Sequence, residues 1–476
     1  MSNATPAIVR ELARLVGSAY ALDAPAASPY NRDCSNRRGI DGRADAVVLP
    51  ASAQEVAAVL AWCYAHDVAV VARGGGTGLT GGAVPLHGGV VVSLERLRAV
   101  RELEPGLWRL FVEAGVSTRD VQRLARENGL MFAPDPGAAE QSQIGGNVAT
   151  NAGGPHALKY GVTGAWVAGV EAVLAPGELV RLGGWAGKDV AGYDLKSLLI
   201  GSEGTLGVLT AVRLRLLPAP EAAIPLVVFT RTRADGCAAM RELLAVGMRP
   251  SVLDFMDAGT LAALAGAYPG SLPPELPADG GFALLCEFDG SLAEAHAQRD
   301  ALIELLGDQA VAVHEPQDAR ALWRWRDGAN PAVSAVRGGK VSEDVVFPLE
   351  RLQEGLERFE QIATAHHMRS CAWGHGGEGN VHATVLVDPR NEAELDAADA
   401  VGEELFALVV MLGGSIAGEH GVGWHKRGRL AAQWDARALQ LHAQIKHAFD
   451  PKGLLNPGKK LAVYPARSLG TSGAGT

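Results

Sequence analysis

The sequence lacks paired cysteines. Its five cysteines are scattered over 476 residues, and no two of them form a C-x-x-C pair. That distribution favours reduced thiols in the cytoplasm over a disulfide framework.

An excess of basic charge and long apolar runs are missing too. The formal net charge is −10, so we do not expect a broad basic surface that binds nucleic acid. No stretch approaches the about 18 consecutive apolar residues of a membrane-spanning helix. Charged residues interrupt the N-terminal "MSNATPAIVRELARL", which excludes the apolar core of a secretory signal. We therefore expect a soluble protein of the cytoplasm, with peripheral attachment at the inner membrane face as the alternative.

The composition is that of a globular chain, with 48% hydrophobic and 20% charged residues. Its length exceeds that of one ordinary domain. The pattern of elements divides it into 1–220, 221–425, a helical segment 426–465, and a Gly/Ser/Ala-rich tail 466–476 that we predict to be disordered.

The predicted elements favour an α+β fold. In the first segment, 53–67 has helical apolar spacing and leads into the buried strand "VAVVA", and Ser117 and Thr118 are N-cap candidates for a later helix. The proline-bearing "LLPAPEAAIP" at 216–225 is typical of a linker. The second segment twice has the order strand–helix–strand–strand–helix, which predicts a duplicated, ferredoxin-like antiparallel sheet.

Three glycine-rich stretches alternate with the strands of the first segment. "RGGGTGLTGG" (73–82) directly follows a buried strand, and glycines there allow backbone N–H groups to approach a pyrophosphate. It is neither G-x-G-x-x-G nor a phosphate loop followed by lysine, and alone it could be a plain surface loop. With the stretches at 134–161 and 192–210, it could wrap one long dinucleotide.

The second segment contains "GHGGEGNVH", which sets His375 and His382 seven positions apart. This is not the H-E-x-x-H spacing of two ligands on one helical face, and ordinary structural histidines are the alternative. A second glycine-flanked loop carries Glu419 and His420. Two imidazoles and a carboxylate would make a three-ligand metal site with open positions.

Together these stretches resemble the flavin domain of the vanillyl-alcohol oxidase (PCMH) type of FAD flavoproteins, and in particular its D-2-hydroxyacid dehydrogenase branch. That branch includes D-lactate dehydrogenase, the glycolate oxidase catalytic subunit and D-2-hydroxyglutarate dehydrogenase. The resemblance spans about residues 41–461. It implies an FAD-binding domain in 1–220, a substrate (cap) domain with a metal site in 221–425, and a return to the flavin in 426–465.

The resemblance assigns FAD binding to the three glycine-rich stretches and to the "NPGK" turn. No histidine lies in 73–82, where some relatives attach FAD covalently, so we expect dissociable FAD. The residues implied are Arg73, Gly74, Gly75, Gly76, Thr77, Gly78, Leu79, Pro134, Asp135, Pro136, Gly137, Gly145, Gly146, Asn147, Thr150, Asn151, Gly153, Gly154, Tyr160, Gly161, Glu203, Gly204, Val208 and Asn456.

The two histidine-bearing loops resemble the branch's "GHxGDGNxH" and "GGSxSxEHGxG" patterns. This implies that His375, His382 and Glu419 bind a divalent metal, zinc in first place with manganese or iron as alternatives. It also implies that His420 is the catalytic base, acting on a hydroxyl group whose pKa the metal lowers. Glu378 stands where the first pattern has Asp.

Further positions concern the substrate. Arg326 in "LWRWRDGANPAV" resembles the family arginine that binds a carboxylate, and Lys340 in "GKVSEDVVFP" resembles a second carboxylate ligand. A solvated helix arginine and a surface lysine are the alternatives. Thr384 replaces an asparagine of hydroxyglutarate-type members, which disfavours that substrate. Trp323, Trp325 and Trp373 are expected to pack in the core.

The predicted function is FAD-dependent oxidation of a small D-2-hydroxy acid to a 2-oxo acid, by metal-assisted hydride transfer to flavin N5. Electrons would pass to a quinone, an electron-transfer flavoprotein, a cytochrome or oxygen, and a homodimer is the candidate assembly. The alternatives are a redox-neutral FAD enzyme, a non-catalytic FAD-binding subunit, and a zinc hydrolase.

Overall fold

The computed structural model describes residues 7–277 and 281–461. The tail 466–476, predicted to be disordered, lies outside these residues, so that prediction stays a prediction.

Strands and helices alternate along the described residues. The strands are β1 (Ala21–Leu22), β2 (Ala46–Val48), β3 (Val70–Arg73), β4 (Val90–Ser93), β5 (Val100–Glu104), β6 (Arg109–Glu113), β7 (Leu130–Met131), β8 (Val167–Leu174), β9 (Glu178–Gly183), β10 (Val208–Arg215), β11 (Leu217–Pro218), β12 (Ala222–Thr230), β13 (Val252–Met256), β14 (Phe282–Gly290), β15 (Ala312–His314), β16 (Gly339–Val346), β17 (Ser370–Gly374) and β18 (Asn380–Val387). The α-helices are α1 (Ala7–Val16), α2 (Ala53–Ala65), α3 (Thr118–Glu127), α4 (Ile144–Thr150), α5 (Ala157–Tyr160), α6 (Leu195–Leu199), α7 (Arg233–Ala245), α8 (Ala258–Leu264), α9 (Leu292–Leu306), α10 (Ala319–Asp327), α11 (Ala329–Ala335), α12 (Leu352–Ala365), α13 (Glu392–Met411), α14 (Leu430–Gln433) and α15 (Ala436–Phe449).

The first part of the chain has two larger sheets, besides the antiparallel pair of short strands β7 and β11. In the described residues one has the order β1-β2-β4-β3, with β4 parallel to both β2 and β3, and the other is antiparallel with the order β5-β6-β10-β8-β9. The predicted helix at 53–67 and the strand after it are present as α2 and β3. Ser117 caps α3 by accepting a hydrogen bond from the Asp120 N–H at 3.1 Å.

The segment 216–225 connects β10 of the first part to β12 of the second part, as a linker would, but it is more regular than we predicted, because it contains β11 and the start of β12. β12 begins at Ala222 and includes Pro225, which lies opposite Glu287 of β14. On its other side β12 pairs with β15 only at residues 227–229. Pro225 therefore lies where β12 has an unpaired edge in the described residues, and there a missing N–H costs no ladder hydrogen bond.

The second part of the chain forms one antiparallel sheet, whose described strands have the order β15-β12-β14-β13-β17-β18-β16. Within the first set of strands, β12 to β14, strand β14 lies between β12 and β13. Within the second set, β16 to β18, strand β18 lies between β16 and β17, and the two sets join where β13 pairs with β17. The predicted duplication is therefore confirmed by the sheet order.

The two faces of this sheet have different coverings. Helices α7, α9, α12 and α13 contact one face, and α8 and α11 contact the other. Side chains alternate along a strand. The apolar neighbours of Asp254, Asp344 and His382 pack under α7, α9, α12 and α13, so these three polar residues point to the face that α8 and α11 contact. The end of that face at which these polar residues lie contacts the loop 413–423 and the first part of the chain.

The C-terminal segment contacts the first part of the chain. Lys446 of α15 is buried and donates hydrogen bonds to the carbonyls of Thr205 at 2.6 Å and Leu455 at 2.8 Å. Leu455 forms a parallel bridge with Val70 in β3. None of the helices in the described residues combines the length and hydropathy that a membrane crossing requires.

Candidate active site

A β-hairpin explains the spacing of the two motif histidines. β17 and β18 pair antiparallel, with Trp373 opposite His382, and His375 follows the last residue of β17. The turn closes through Gly379 at φ +71°, where an added Cβ would overlap the Phe347 carbonyl oxygen. The histidines therefore lie on neighbouring strands, with ring centroids 5.8 Å apart.

Glu419 brings the second loop to these histidines. Its Oε1 atom lies 3.4 Å from His375 Nε2 and 3.5 Å from His382 Nε2. Four ligands at about 2.0–2.1 Å around a tetrahedral ion would be about 3.4 Å from one another. Glu419 Oε1 is therefore spaced from the two imidazoles as a metal site requires, and the three ligand atoms lie within 4.8 Å of one another.

Asp254, a residue outside the histidine-bearing motifs, orients His375. Its Oδ1 atom lies 2.8 Å from His375 Nδ1, which directs Nε2 towards Glu419. A carboxylate behind a ligating histidine commonly has this role. The only signal was a carboxylate inside the apolar stretch "SVLDFM".

The charges around the cluster suit a cation. Burial and the neighbouring His420 lower the pKa of His382 to about 3. Although burial opposes the shift, the charge of His375 lowers the pKa of Glu419 to about 2. Burial also opposes the rise in the His375 pKa to about 10, which Asp254 and Glu419 cause. At neutral pH Glu419 is thus a carboxylate, His382 is a neutral imidazole, and His375 carries a proton that a metal ion would replace.

His420 lies beside this cluster. Its ring stacks on that of His382 with centroids 5.2 Å apart, and its Nε2 atom is 3.8 Å from Glu419 Oε1. Asp344, His382 and His420 form a second group of possible ligands. Both carboxylate oxygens of Asp344 already accept N–H hydrogen bonds, which favours the group that contains Glu419.

The two predicted carboxylate binders lie at different places. Arg326 is in the cluster, where its Nη2 atom is 2.6 Å from Asp254 Oδ2 and 3.5 Å from His375 Nδ1. Lys340 lies on β16 on the same face as Asp344, and its Nζ atom is 4.5 Å from the centre of the Trp373 ring. Asn330 is exposed.

Trp325 and Trp373 have the environments that core packing predicts, whereas Trp323 is only partly buried and stacks on His156. Trp325 and Trp373 are buried, and Trp325 Nε1 donates to the Leu264 carbonyl. Cys371 is buried, and burial raises the pKa of its thiol to about 12. Burial raises the pKa of Glu378 to about 7, in the turn between the histidines.

The predicted phosphate loop faces the second glycine-rich stretch. An added Cβ at Gly74 would be 3.5 Å from Gly146 Cα, and one at Gly75 would overlap the Gln141 carbonyl. Gln143, which we had not predicted, has a buried Oε1 atom without a hydrogen-bond partner in the described residues. Close backbones and an unpaired buried amide are features that a bound pyrophosphate and ribityl chain would explain.

The third stretch and the C-terminal turn join the same region. Glu203 N–H donates to the Ala149 carbonyl at 2.7 Å, and Asn456 Nδ2 donates to the carbonyls of Gly82 and Glu203. Asn151, at φ +53°, accepts the Gly164 N–H through Oδ1. The glycine-rich stretches and the "NPGK" turn are thus brought together.

Two of the predicted FAD residues direct their side chains elsewhere. Asp135 Oδ2 lies 2.6 Å from His156 Nδ1, and the Tyr160 hydroxyl donates to Asp289 Oδ2 at 2.7 Å. Asp135 and His156 lie in the same glycine-rich stretch, and His156 in turn contacts Glu287 of the cap sheet, so both side chains are linked to that sheet.

We call the three glycine-rich stretches, 73–82, 134–161 and 192–210, the flavin loops. They lie directly beside the cluster of His375, His382 and Glu419, because an added Cβ at Gly153 would be 2.9 Å from Glu419 Oε2. A cofactor bound along the flavin loops would therefore adjoin this cluster.

Comparison with known proteins identifies the class and then the family. The fold resembles p-cresol methylhydroxylase, with a TM-score of 0.79 at 18% identity over 95% of this chain and 96% of that chain. This shows the vanillyl-alcohol oxidase (PCMH) type of fold. The model for the FAD binding domain matches residues 44–183, and the model for the C-terminal domain of FAD linked oxidases matches residues 219–460.

Curated relatives cover most of the chain. Glycolate oxidase subunit GlcD of Bacillus subtilis is 36% identical over 88% of this chain and 89% of that protein. D-lactate dehydrogenase of Anaerostipes hadrus is 32% identical over 88% and 89%. D-2-hydroxyglutarate dehydrogenase of Stutzerimonas stutzeri is 32% identical over 96% and 99%. The chain belongs to the FAD-linked oxidases, and it is an FAD-binding oxidoreductase.

Proposed function

We propose that this protein is an FAD-dependent dehydrogenase that oxidises a small D-2-hydroxy acid to the 2-oxo acid. The observation that supports this most is the convergence of His375, His382 and Glu419 against Gly153 of the flavin loops. The relatives named for glycolate, D-lactate and D-2-hydroxyglutarate support the same class of substrate.

His375, His382 and Glu419 hold a divalent cation, zinc in first place. Bound FAD would supply a hydride acceptor, and the cation would supply a Lewis acid for the substrate hydroxyl oxygen. His420 takes the hydroxyl proton, because its ring lies beside the cluster on the side of the second loop.

Arg326 and Lys340 orient the substrate carboxylate. Asp254 fixes the Arg326 guanidinium through Nε at 2.7 Å and Nη2, so the arginine is held in one orientation beside the metal ligands. A fixed cation loses little freedom when an anion binds.

The FAD linkage, the electron acceptor, the assembly, the location and the division of the chain are also proposals. FAD is bound without a covalent link, and an external acceptor reoxidises it: a quinone, an electron-transfer flavoprotein, a cytochrome or oxygen. We propose a homodimer in the cytoplasm or at the inner membrane face, and a division of the chain at residues 220 and 425.

A panel of substrates tests the proposal. The purified protein, with metal present, is mixed anaerobically and separately with D-lactate, glycolate, D-2-hydroxyglutarate and D-malate, and the L-enantiomers serve as controls. We expect the visible flavin absorbance to bleach with at least one D-acid or glycolate. No bleaching by any of them would contradict the proposal.

The alternatives give other results in the same experiment. A redox-neutral FAD enzyme would be yellow and bind metal but not bleach. A non-catalytic FAD-binding subunit would be yellow without metal, and a zinc hydrolase would be colourless.

A further inference from the structure

Two carboxylates hold the loop that carries Glu419 and His420. Asp344 Oδ2 accepts the backbone N–H groups of Gly418, Glu419 and His420 at 2.9, 2.9 and 3.0 Å. Glu203 accepts the next N–H groups along the loop, at Val422 and Gly423. Nearly every N–H of 418–423 is thus bound by one of two anions.

The two carboxylates come from different parts of the chain. Asp344 belongs to β16 of the cap sheet, whereas Glu203 follows α6 in the first part. The backbone of Glu203 is hydrogen-bonded to Ala149 of the second glycine-rich stretch and to Asn456 of the C-terminal turn. The loop is therefore tied on one side to the sheet that carries the histidines, and on the other side to the glycine-rich stretches.

Each carboxylate is itself held in place. Asn380 Nδ2 donates to Asp344 Oδ1 at 2.7 Å, and the buried Lys426 ammonium donates to the Asp344 carbonyl. Glu203 has φ +54° and a further contact to Lys460 Nζ at 3.3 Å. Both carboxylates are buried, where N–H hydrogen bonds to an anion are about twice as strong as those between neutral groups.

We propose that Asp344 and Glu203 are positioning residues that fix the loop 418–423 between the metal-binding histidines and the flavin loops. Asp344 sets the place of the Glu419 and His420 backbones, and Glu203 sets the distance of the loop from the flavin domain. The catalytic consequence rests on the proposed function, but the attachment of the loop does not.

Hydrogen exchange measures that attachment without reference to activity. In Asp344→Asn the oxygen that remains is a neutral acceptor, so we expect the amides of 418–420 to exchange at least about tenfold faster. In Glu203→Gln one of the two loop N–H groups faces an NH₂ donor, so the amides of 422 and 423 should exchange faster instead. Asp257→Asn is the matched control, because Asp257 is also a buried carboxylate that accepts two backbone N–H groups, from Thr260 and Ala372, outside the loop.

Metal binding and kinetics measure the consequence. We expect Asp344→Asn and Glu203→Gln to retain FAD, to bind Zn²⁺ more weakly in competition with a chelator, and to reduce flavin about 10–100-fold more slowly at saturating substrate. The KM should change less than kcat. Asp257→Asn should leave FAD binding, Zn²⁺ binding and the rate of flavin reduction close to those of the wild type. Slow flavin reduction in Asp344→Asn and Glu203→Gln, with amides of 418–423 that exchange as in the wild type, would overturn the proposal. It would also be overturned if Asp257→Asn accelerated the exchange of these amides as much as the two variants do.

Two results separate the proposal from the proposed function. Wild-type protein that bleaches with no hydroxy acid, while the variants still release the loop, would contradict the function and leave the positioning role supported. If Asp344→Asn does not fold, Asn380→Ala removes the amide that holds Asp344 Oδ1 and should release 418–420 to a smaller extent. Unchanged exchange in that variant and in Glu203→Gln would overturn the proposal.

Discussion

Glu419 is the residue on which the site depends most. Its Oε1 atom lies 3.4, 3.5 and 3.8 Å from the Nε2 atoms of His375, His382 and His420. Without this carboxylate the three imidazoles would face one another with no anion between them. Its position in a loop far along the chain also explains why "GHGGEGNVH" alone carried a weak signal.

His420→Ala tests the role of the base. We expect FAD and metal to remain bound, because the predicted ligands and glycine-rich stretches are unchanged, and flavin reduction by the substrate to slow by about 10²–10⁴-fold. Anaerobic stopped-flow absorbance gives the rate. His442→Ala is the control, since His442 stacks on Trp434 away from the cluster. Full bleaching rates in His420→Ala would remove His420 as the base.

The residues that the sequence could not indicate are those without a motif of their own. His375, His382, Glu419 and His420 stand in glycine-flanked patterns, and the structure brings them together. Asp254 is a lone carboxylate in a buried strand, and its partners depend on which strands pair. Pairing of strands far apart in sequence is not visible in local spacing.

The hairpin of β17 and β18 is the element that makes the histidine pair. Its turn passes through Gly379, at φ +71° and against the Phe347 carbonyl. The glycines of the motif do not identify the next strand of the sheet, β16, which pairs with β18 and carries Asp344.

Gly379→Ala tests the tightness of this turn. An added methyl group would be strained by the positive φ and would overlap the Phe347 carbonyl, so we expect a loss of about 2–4 kcal/mol in the free energy of unfolding and weaker metal binding. Gly247→Ala is the control, because Gly247 has φ +84° with no atom within 4 Å of the added Cβ, and it should cost only about 1 kcal/mol. Equal losses in the two variants would show that the overlap is absent.

At the same scale, the linker prediction underestimated the regular structure in 216–225, for a physical reason. Prolines at 216–225 favour irregular structure, but an edge position tolerates a proline inside a strand. Only the finding that β15 stops short of Pro225 explains how β12 extends through it.

The whole molecule joins its two parts through a small set of charged contacts besides the loop 418–423. His156 bridges Asp135 of the flavin loops and Glu287 of β14, at 2.6 and 3.0 Å. Lys159 pairs with Asp289 beside it. Although burial opposes the shift, the two carboxylates raise the pKa of His156 well above its usual value. The histidine is therefore a cation that ties the flavin loops to the cap.

This contact predicts a pH dependence. A raised pKa in the folded protein means that the stabilisation is complete below the unfolded pKa of about 6.5 and is lost as the pH rises through the folded value. The pKa of Glu287 is lowered, against the effect of burial, by His156, so its share is lost as the pH falls below about 4.3. His156→Gln should therefore cost most between about pH 5 and 6.5.

The expected cost there is about 2 kcal/mol. It is below the about 3–5 kcal/mol of a fully buried pair, because 24% of the His156 side chain is exposed. Denaturant unfolding from pH 5 to 9 measures it, with His366→Gln as control, since His366 pairs with Glu404 within the cap part. A cost that grows towards pH 9 would contradict the assignment of a cationic His156.

The most direct test of the central claim, that flavin loops and metal cluster form one active site, is anaerobic flavin reduction during stepwise removal of metal. With the best acid of the substrate panel, the account predicts that bleaching falls in proportion to the metal removed, returns when Zn²⁺ is added, and that FAD stays bound throughout. Bleaching at the full rate in metal-free protein would contradict it.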